Sequence, residues 1–128
     1  TFFMKKPILL TATFLGLISI VIGAFGSHGL KDYLIHIDKV NAFEVSVRYQ
    51  FYHVFFLFAL GLSYDYCNQL FVKYAFLTCL IGLVLFSGSL YVLCLTNNNF
   101  FGIITPFGGV CLIFAWVFFF ISIVRSSQ

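Results

Sequence analysis

Glu44, Arg48, Gln50 and His53 are the residues of this chain whose types and spacing could do chemistry. They stand in residues 43–53, F-E-V-S-V-R-Y-Q-F-Y-H, directly before an apolar run over residues 54–62. That run is far too short to cross a bilayer as a helix, which takes about 20 residues. The helix must therefore extend back through the polar stretch. With a span starting near Phe43 and a rise of about 1.5 Å per residue, His53 lies roughly 15 Å in, near the midplane. Ionisable groups at that depth are costly and face protein or water, which makes this stretch the leading site candidate. Glu44 and Arg48 are four apart with the acid nearer the N-terminus, the order that favours an ion pair. Gln50 and His53 fall roughly opposite Glu44, with Ser46 and Tyr49 beside them.

Two kinds of role suit His53. One is a neutral imidazole hydrogen-bonded across helices, with Ser87, Ser89 or Gln50 as expected partners. The other is chemical: a proton relay, an axial haem ligand, or a polar anchor for a quinone or lipid headgroup. Haem needs a second ligand, and His28 is the obvious one. His28 falls at the interface while His53 is deeper, a poor pairing. Hydrolytic catalysis has no support: Ser87-Gly88-Ser89 is not a G-x-S-x-G elbow and reads more simply as a packing notch. No H-E-x-x-H, phosphate loop or paired carboxylate occurs, so no catalytic set, metal site or cofactor is expected.

The elements that position these residues follow from composition. The 128 residues are 62% hydrophobic and 9% charged, with mean hydropathy +1.06. A soluble domain carries about 25% charged residues, so this chain cannot cover a water-facing surface. Disorder is excluded by the same composition. The net charge of +3 has no basic cluster, so nucleic acid is not an expected partner. Cys67, Cys79, Cys94 and Cys111 form no C-x-x-C pair and read as free thiols acting as small hydrophobes.

A single all-α transmembrane domain over residues 1–128 is expected, with four spans at about 8–25, 43–62, 74–95 and 104–124. Met4-Lys5-Lys6 reads as a natural start, with Thr1-Phe2-Phe3 upstream of it. The apolar run that follows is too long for a signal-peptide core, and Pro7 suits a helix's first turn. Ala12, Gly16, Ser19, Gly23 and Gly26 recur every three or four residues, one stripe where a neighbouring backbone can come close. Residues 30–41 read either as a short interfacial helix or as an irregular loop. Thr78, Gly82 and Ser89 align along the third span. The fourth opens on Thr105-Pro106, with the threonine as cap, and carries Gly108 on its small-residue side. Trp116 lies well inside it, where an indole N–H needs an acceptor.

Four spans put both termini on one side. Lys5, Lys6, Lys73 and Arg125 stand there against Asp65, and Lys31, Lys39 and Arg48 against Asp32, Asp38 and Glu44 on the other. The bias places both termini in the cytoplasm.

Four stretches in order carry a resemblance: residues 23–28 (GAFGSH), 48–53 (RYQFYH), 85–91 (LFSGSLY), and 105–109 (TPFGG) with Trp116. The pattern resembles the YgdD/YwdK-type small bacterial inner-membrane proteins, which have mitochondrial relatives. The resemblance covers nearly the whole chain and implies a four-helix integral protein of the bacterial inner membrane. It implies no activity. Ser27 stands where the family more often has alanine, and Ala115 where it more often has glycine. The Arg48 position can carry an acid in the family, which shifts weight from Glu44–Arg48 to Tyr49, Gln50 and His53.

Two functions fit. The first is a non-enzymatic structural or accessory subunit, self-associating or joined to a larger membrane complex, since three helices carry small-residue faces. The second is a small-solute or proton-linked transporter, or a lipid- or quinone-binding module, using the polar cluster of the second span. Transporters usually show repeats or helices broken near the midplane, and the sequence breaks lie at span ends.

Overall fold

The length of each apolar run and the polar turns between them produce a helical chain folded back on itself three times. The computed structural model describes residues 2–126. Thr1, part of the expected upstream tripeptide, lies outside the described residues. Among the described residues six α-helices occur: α1 (Phe2–Ser27), α2 (Lys31–His36), α3 (Val40–Leu62), α4 (Gln69–Leu83), α5 (Ser89–Thr96) and α6 (Thr105–Val124). Four helical stretches, Met4–Ser27, Val40–Leu62, Gln69–Thr96 and Asn99–Val124, are long and apolar enough to cross a membrane.

Helix α1 runs up through Phe2, so Pro7 lies inside it rather than in its first turn. Helix α2 is the short helix of the two alternatives for residues 30–41. It is anchored by the Tyr33 hydroxyl, which donates to the carbonyls of Cys94 (3.0 Å) and Leu95 (3.2 Å). At the opposite end of the bundle Lys5 Nζ meets Asp65 at 3.1 Å, tying the start of α1 to the α3–α4 connection. The start of α4 is held by Asn68, whose side chain accepts from Phe71 N and whose N–H donates to Ser122 O at 2.9 Å.

The third crossing is not one continuous α-helix. Residues Val84–Gly88 form a π-helical turn between α4 and α5. Such a turn carries one residue more than an α-turn, and it recurs at functional positions in other proteins. Asn97, at φ 52°, then ends α5 in the left-handed conformation that asparagine tolerates.

Packing falls into two helix pairs, α1 on α3 and α4 on α6, joined through α3. In the first pair Ala12 and Ser19 are fully buried. A methyl group placed on Gly16 or Gly23 would stand 3.5 Å from Val54 Cγ1 or 3.6 Å from Val47 Cγ1, ordinary contact distances; one on Gly26 would overlap the Phe43 ring. In the second pair, a methyl on Gly82 would lie 2.8 Å from Leu112 Cδ2, and one on Gly108 would run into the backbone of Leu85 and Phe86. These small residues therefore face neighbours within the chain, Gly23 and Gly26 only in part because both also line an open groove. The outer face of α1, with Phe14, Leu17 and Ile20, is apolar and exposed, as a lipid-facing surface must be.

The core joins both pairs through Leu57, Leu60, Val72, Ala75, Cys79 and Ala115. All four cysteines are free; Cys79 and Cys94 are buried, and Cys67 and Cys111 are half-buried.

Candidate functional site

Helix α3 turns its polar residues to two sides, and the two sides do different things. Ser46, Gln50 and His53 follow one another at spacings of four and three, and so share a face of the helix. All three are buried. Each reaches a different neighbour.

Ser46 meets the π-helical turn. Its hydroxyl donates to the carbonyl of Ser87, and the hydroxyl of Ser87 donates back to the carbonyl of Ser46, both at 2.9 Å. The π-turn is thus tied to α3 by a reciprocal pair, each serine hydroxyl bonding the other residue's carbonyl. Gln50 accepts from the Tyr91 hydroxyl at 2.6 Å, and its amide nitrogen faces the Leu15 carbonyl at 3.5 Å, joining α5 and α1 to α3. Ser89 shares a 2.6 Å hydrogen bond with Thr105 and donates to Phe86 O at 2.9 Å. This links the end of the π-turn to the start of α6.

His53 is the fourteenth of 23 residues in α3, about 20 Å from its start. Its Nδ1 lies 2.8 Å from the carbonyl oxygen of Tyr49. A carbonyl only accepts, so Nδ1 carries the proton. In a neutral ring Nε2 is then the acceptor, and it receives the Trp116 indole N–H at 3.1 Å. The arrangement fixes the tautomer from both ends. The Trp116 ring also packs on Phe56, centroids 4.5 Å apart, and stands edge-on to His53.

Several sequence expectations about partners are corrected by this geometry. His53 bonds to Trp116 and Tyr49 O, not to Ser87, Ser89 or Gln50, because those three are consumed by Ser46, Thr105 and Tyr91. Thr105 does not cap α6: Ile104 holds that position, and the Thr105 hydroxyl turns to Ser89. Glu44 and Arg48 form no ion pair; among the described residues the pair within bonding distance is Lys5–Asp65. Both side chains are exposed and line a groove with Lys31. His28 lies in the turn after α1, far along the α3 axis from His53, so the two cannot share an iron. Tyr49 gives its carbonyl to His53 while its ring packs on Phe86 and Tyr52.

Tyr91, Thr105 and Lys31 were missed as site residues. Tyr91 had a signal, a phenol inside an apolar helix that must find an acceptor.

Beside His53 and Trp116 a shallow groove of about 430 Å³ opens between α3, the π-turn and α6, lined by Tyr49, Phe86, Pro106, Gly109 and Ile113. It is almost wholly apolar, and both nitrogens of the histidine at its edge are already engaged.

Comparison with known proteins agrees with the architecture. A protein of Staphylococcus epidermidis named UPF0382 membrane protein is 40% identical over 106 residues, covering 82% of this chain and 84% of the relative. The UPF0382 membrane protein YwdK of Bacillus subtilis is 36% identical over 111 residues, 85% of this chain and 89% of its own. The UPF0382 inner membrane protein YgdD of Escherichia coli is 27% identical over 124 residues, 97% and 94% of the two chains. No solved structure matches the chain significantly. With four membrane-length helices and these relatives, the chain is an all-α integral membrane protein. A family model, "Protein of unknown function (DUF423)", matches residues 22–109, and the chain belongs to that family.

Proposed function

We propose that the protein is a non-enzymatic structural or accessory membrane subunit, a single four-helix domain in which the polar face of α3 holds the bundle together. The observation that carries this reading is the His53 ring, held between the Tyr49 carbonyl and the Trp116 indole. A relay needs a nitrogen that can gain and lose its proton, and a metal or quinone needs a free one. Here a proton added at Nε2 would face the indole N–H. Ser46, Gln50, Ser87 and Ser89 are likewise engaged within the bundle, and every buried side-chain nitrogen and oxygen among the described residues has a partner. Interhelical hydrogen bonds of this kind average about 0.6 kcal/mol each in membranes, so the set fixes helix rotation and register more than it adds stability.

The test compares wild type, His53→Leu and His53→Asn. Leucine is expected to lower the melting temperature in detergent. Asparagine, which keeps a donor and an acceptor, is expected to recover most of the loss. Mass spectrometry of co-purifying small molecules should give the same result for wild type and His53→Asn. An asparagine variant that melts like wild type but lacks a molecule wild type retains would instead favour a second reading, a lipid- or quinone-binding module. The apolar groove beside Trp116 is the observation in favour of that reading.

Self-association or attachment to a larger complex would use the outer faces of α1 and α6, because Ala12, Gly16, Ser19, Gly82 and Gly108 pack against neighbours inside the chain. The relatives' names support placement in the bacterial inner membrane, and the Lys/Arg bias supports cytoplasmic termini. Single reporter cysteines at Lys39 and Asn98 are then expected to react from the periplasmic side, and one at the C-terminus only after lysis. The reverse pattern would invert the orientation and leave the four spans untouched.

A further inference from the structure

The charged side of α3 is not used by the internal network. It faces a groove of about 540 Å³ between the end of α1, helix α2 and the first turns of α3. The floor is apolar and shallow in side-chain terms, built on Gly23, Gly26, Val47 and Phe43. Lys31, Glu44 and Arg48 also line it. Glu44 and Arg48 lie four and eight residues into α3, about 6 and 12 Å below its start, in the outer half of the span. Charges at that depth require a polar partner. These two do not pair with each other, and the remaining acids of this end, Asp32 and Asp38, do not line the groove.

We infer that this groove is a binding site for one zwitterionic aminophospholipid, its phosphate on Lys31 and Arg48 and its ammonium on Glu44. Charge complementarity decides the class. Two cations with no carboxylate would suit any anionic headgroup. A carboxylate one helical turn from Arg48 repels a second anion and attracts an ammonium close to the phosphate. Gly23 and Gly26 leave the floor of the groove free of side chains, so acyl chains can run from it along the exposed apolar faces of α1 and α3. Free phosphate would leave that apolar floor uncovered. The site is independent of the His53 network and shares no side chain with it.

The full-length protein, delipidated in detergent and returned to mixed micelles, is titrated with phosphatidylethanolamine or phosphatidylglycerol and read by native mass spectrometry. Wild type is expected to retain one lipid per chain and to prefer phosphatidylethanolamine. Lys31→Ala with Arg48→Ala is expected to weaken both lipids by about tenfold or more, as loss of charge-assisted hydrogen bonds implies. Glu44→Gln is expected to keep phospholipid binding and lose the preference. These side chains are exposed, so helicity and melting should match wild type. Gly23→Ala is the second probe: its methyl narrows the groove at an ordinary distance from Val47, leaves the charges and the bundle as they are, and should weaken both lipids alike. Equal binding of the two lipids by wild type, an unchanged preference in Glu44→Gln, or full retention in the double alanine variant would each overturn the assignment.

Discussion

Gly108→Ala is expected to destabilise the bundle severely, while Gly16→Ala and Gly23→Ala leave it close to wild type. All three glycines lie on small-residue faces, and only contact geometry separates them. A methyl group at Gly16 or Gly23 reaches a valine methyl at an ordinary distance. At Gly108 it meets the backbone of Leu85 and Phe86 in the π-helical turn. A side chain can change rotamer to make room, but a backbone segment must be displaced with everything bonded to it. Here that includes Ser87, whose reciprocal hydrogen bonds with Ser46 fix the turn to α3. Overpacking costs about 1–3 kcal/mol, and a backbone clash belongs at or above the top of that range. Gly82→Ala should fall between, since its obstacle is mainly the Leu112 side chain. Melting in detergent, followed by circular dichroism, orders the four variants. If Gly108→Ala melts with Gly16→Ala, the close approach of α6 to the π-turn is wrong.

The helices were legible because each apolar run is bounded by residues that stop it: Ser27-His28-Gly29, the polar turn around Asp65, and Asn97-Asn98-Asn99. The π-turn was not. Ser87-Gly88-Ser89 marks a notch, yet nothing local distinguishes a notch in a straight helix from an inserted residue. The turn is stabilised by contacts from outside it, the Gly108 backbone and Ser46, and a local pattern does not contain them. The site divides in the same way. Residue types and helix faces could be read, because the spacing of Ser46, Gln50 and His53 is a property of one helix. Partners could not. Trp116 lies 63 residues from His53 in sequence, and which of several buried donors meets the imidazole depends on how α6 is rotated against α3. For Glu44 and Arg48 the helical spacing was correct and the inference of a pair was not. Proximity at four residues permits an ion pair, but a groove open to polar groups between α2 and α3 competes for both side chains.

Trp116→Ala is expected to be the most damaging single truncation on α6 that leaves the backbone alone. The indole contributes in two ways, by packing against Phe56 and by donating to His53 Nε2. Truncating a buried tryptophan costs about 3–5 kcal/mol in soluble cores. Trp116 is half exposed and lipid covers that half in both states, so about 2–3 kcal/mol is expected here. Phenylalanine at 116 separates the two contributions. It keeps a ring against Phe56 but removes the N–H together with part of the indole's packing area, the N–H accounting for about 1 kcal/mol by the range measured for interhelical hydrogen bonds. The imidazole gives an independent readout. In wild type, nitrogen-15 spectra of His53 should show a protonated Nδ1 and a bare, hydrogen-bonded Nε2. In Trp116→Phe the Nε2 resonance should move while Nδ1, still held by the Tyr49 carbonyl, stays in place. A proton on Nε2 in wild type would contradict the fixed tautomer. The His53 ring would then have a different partner, and the groove beside it would become the better candidate for function.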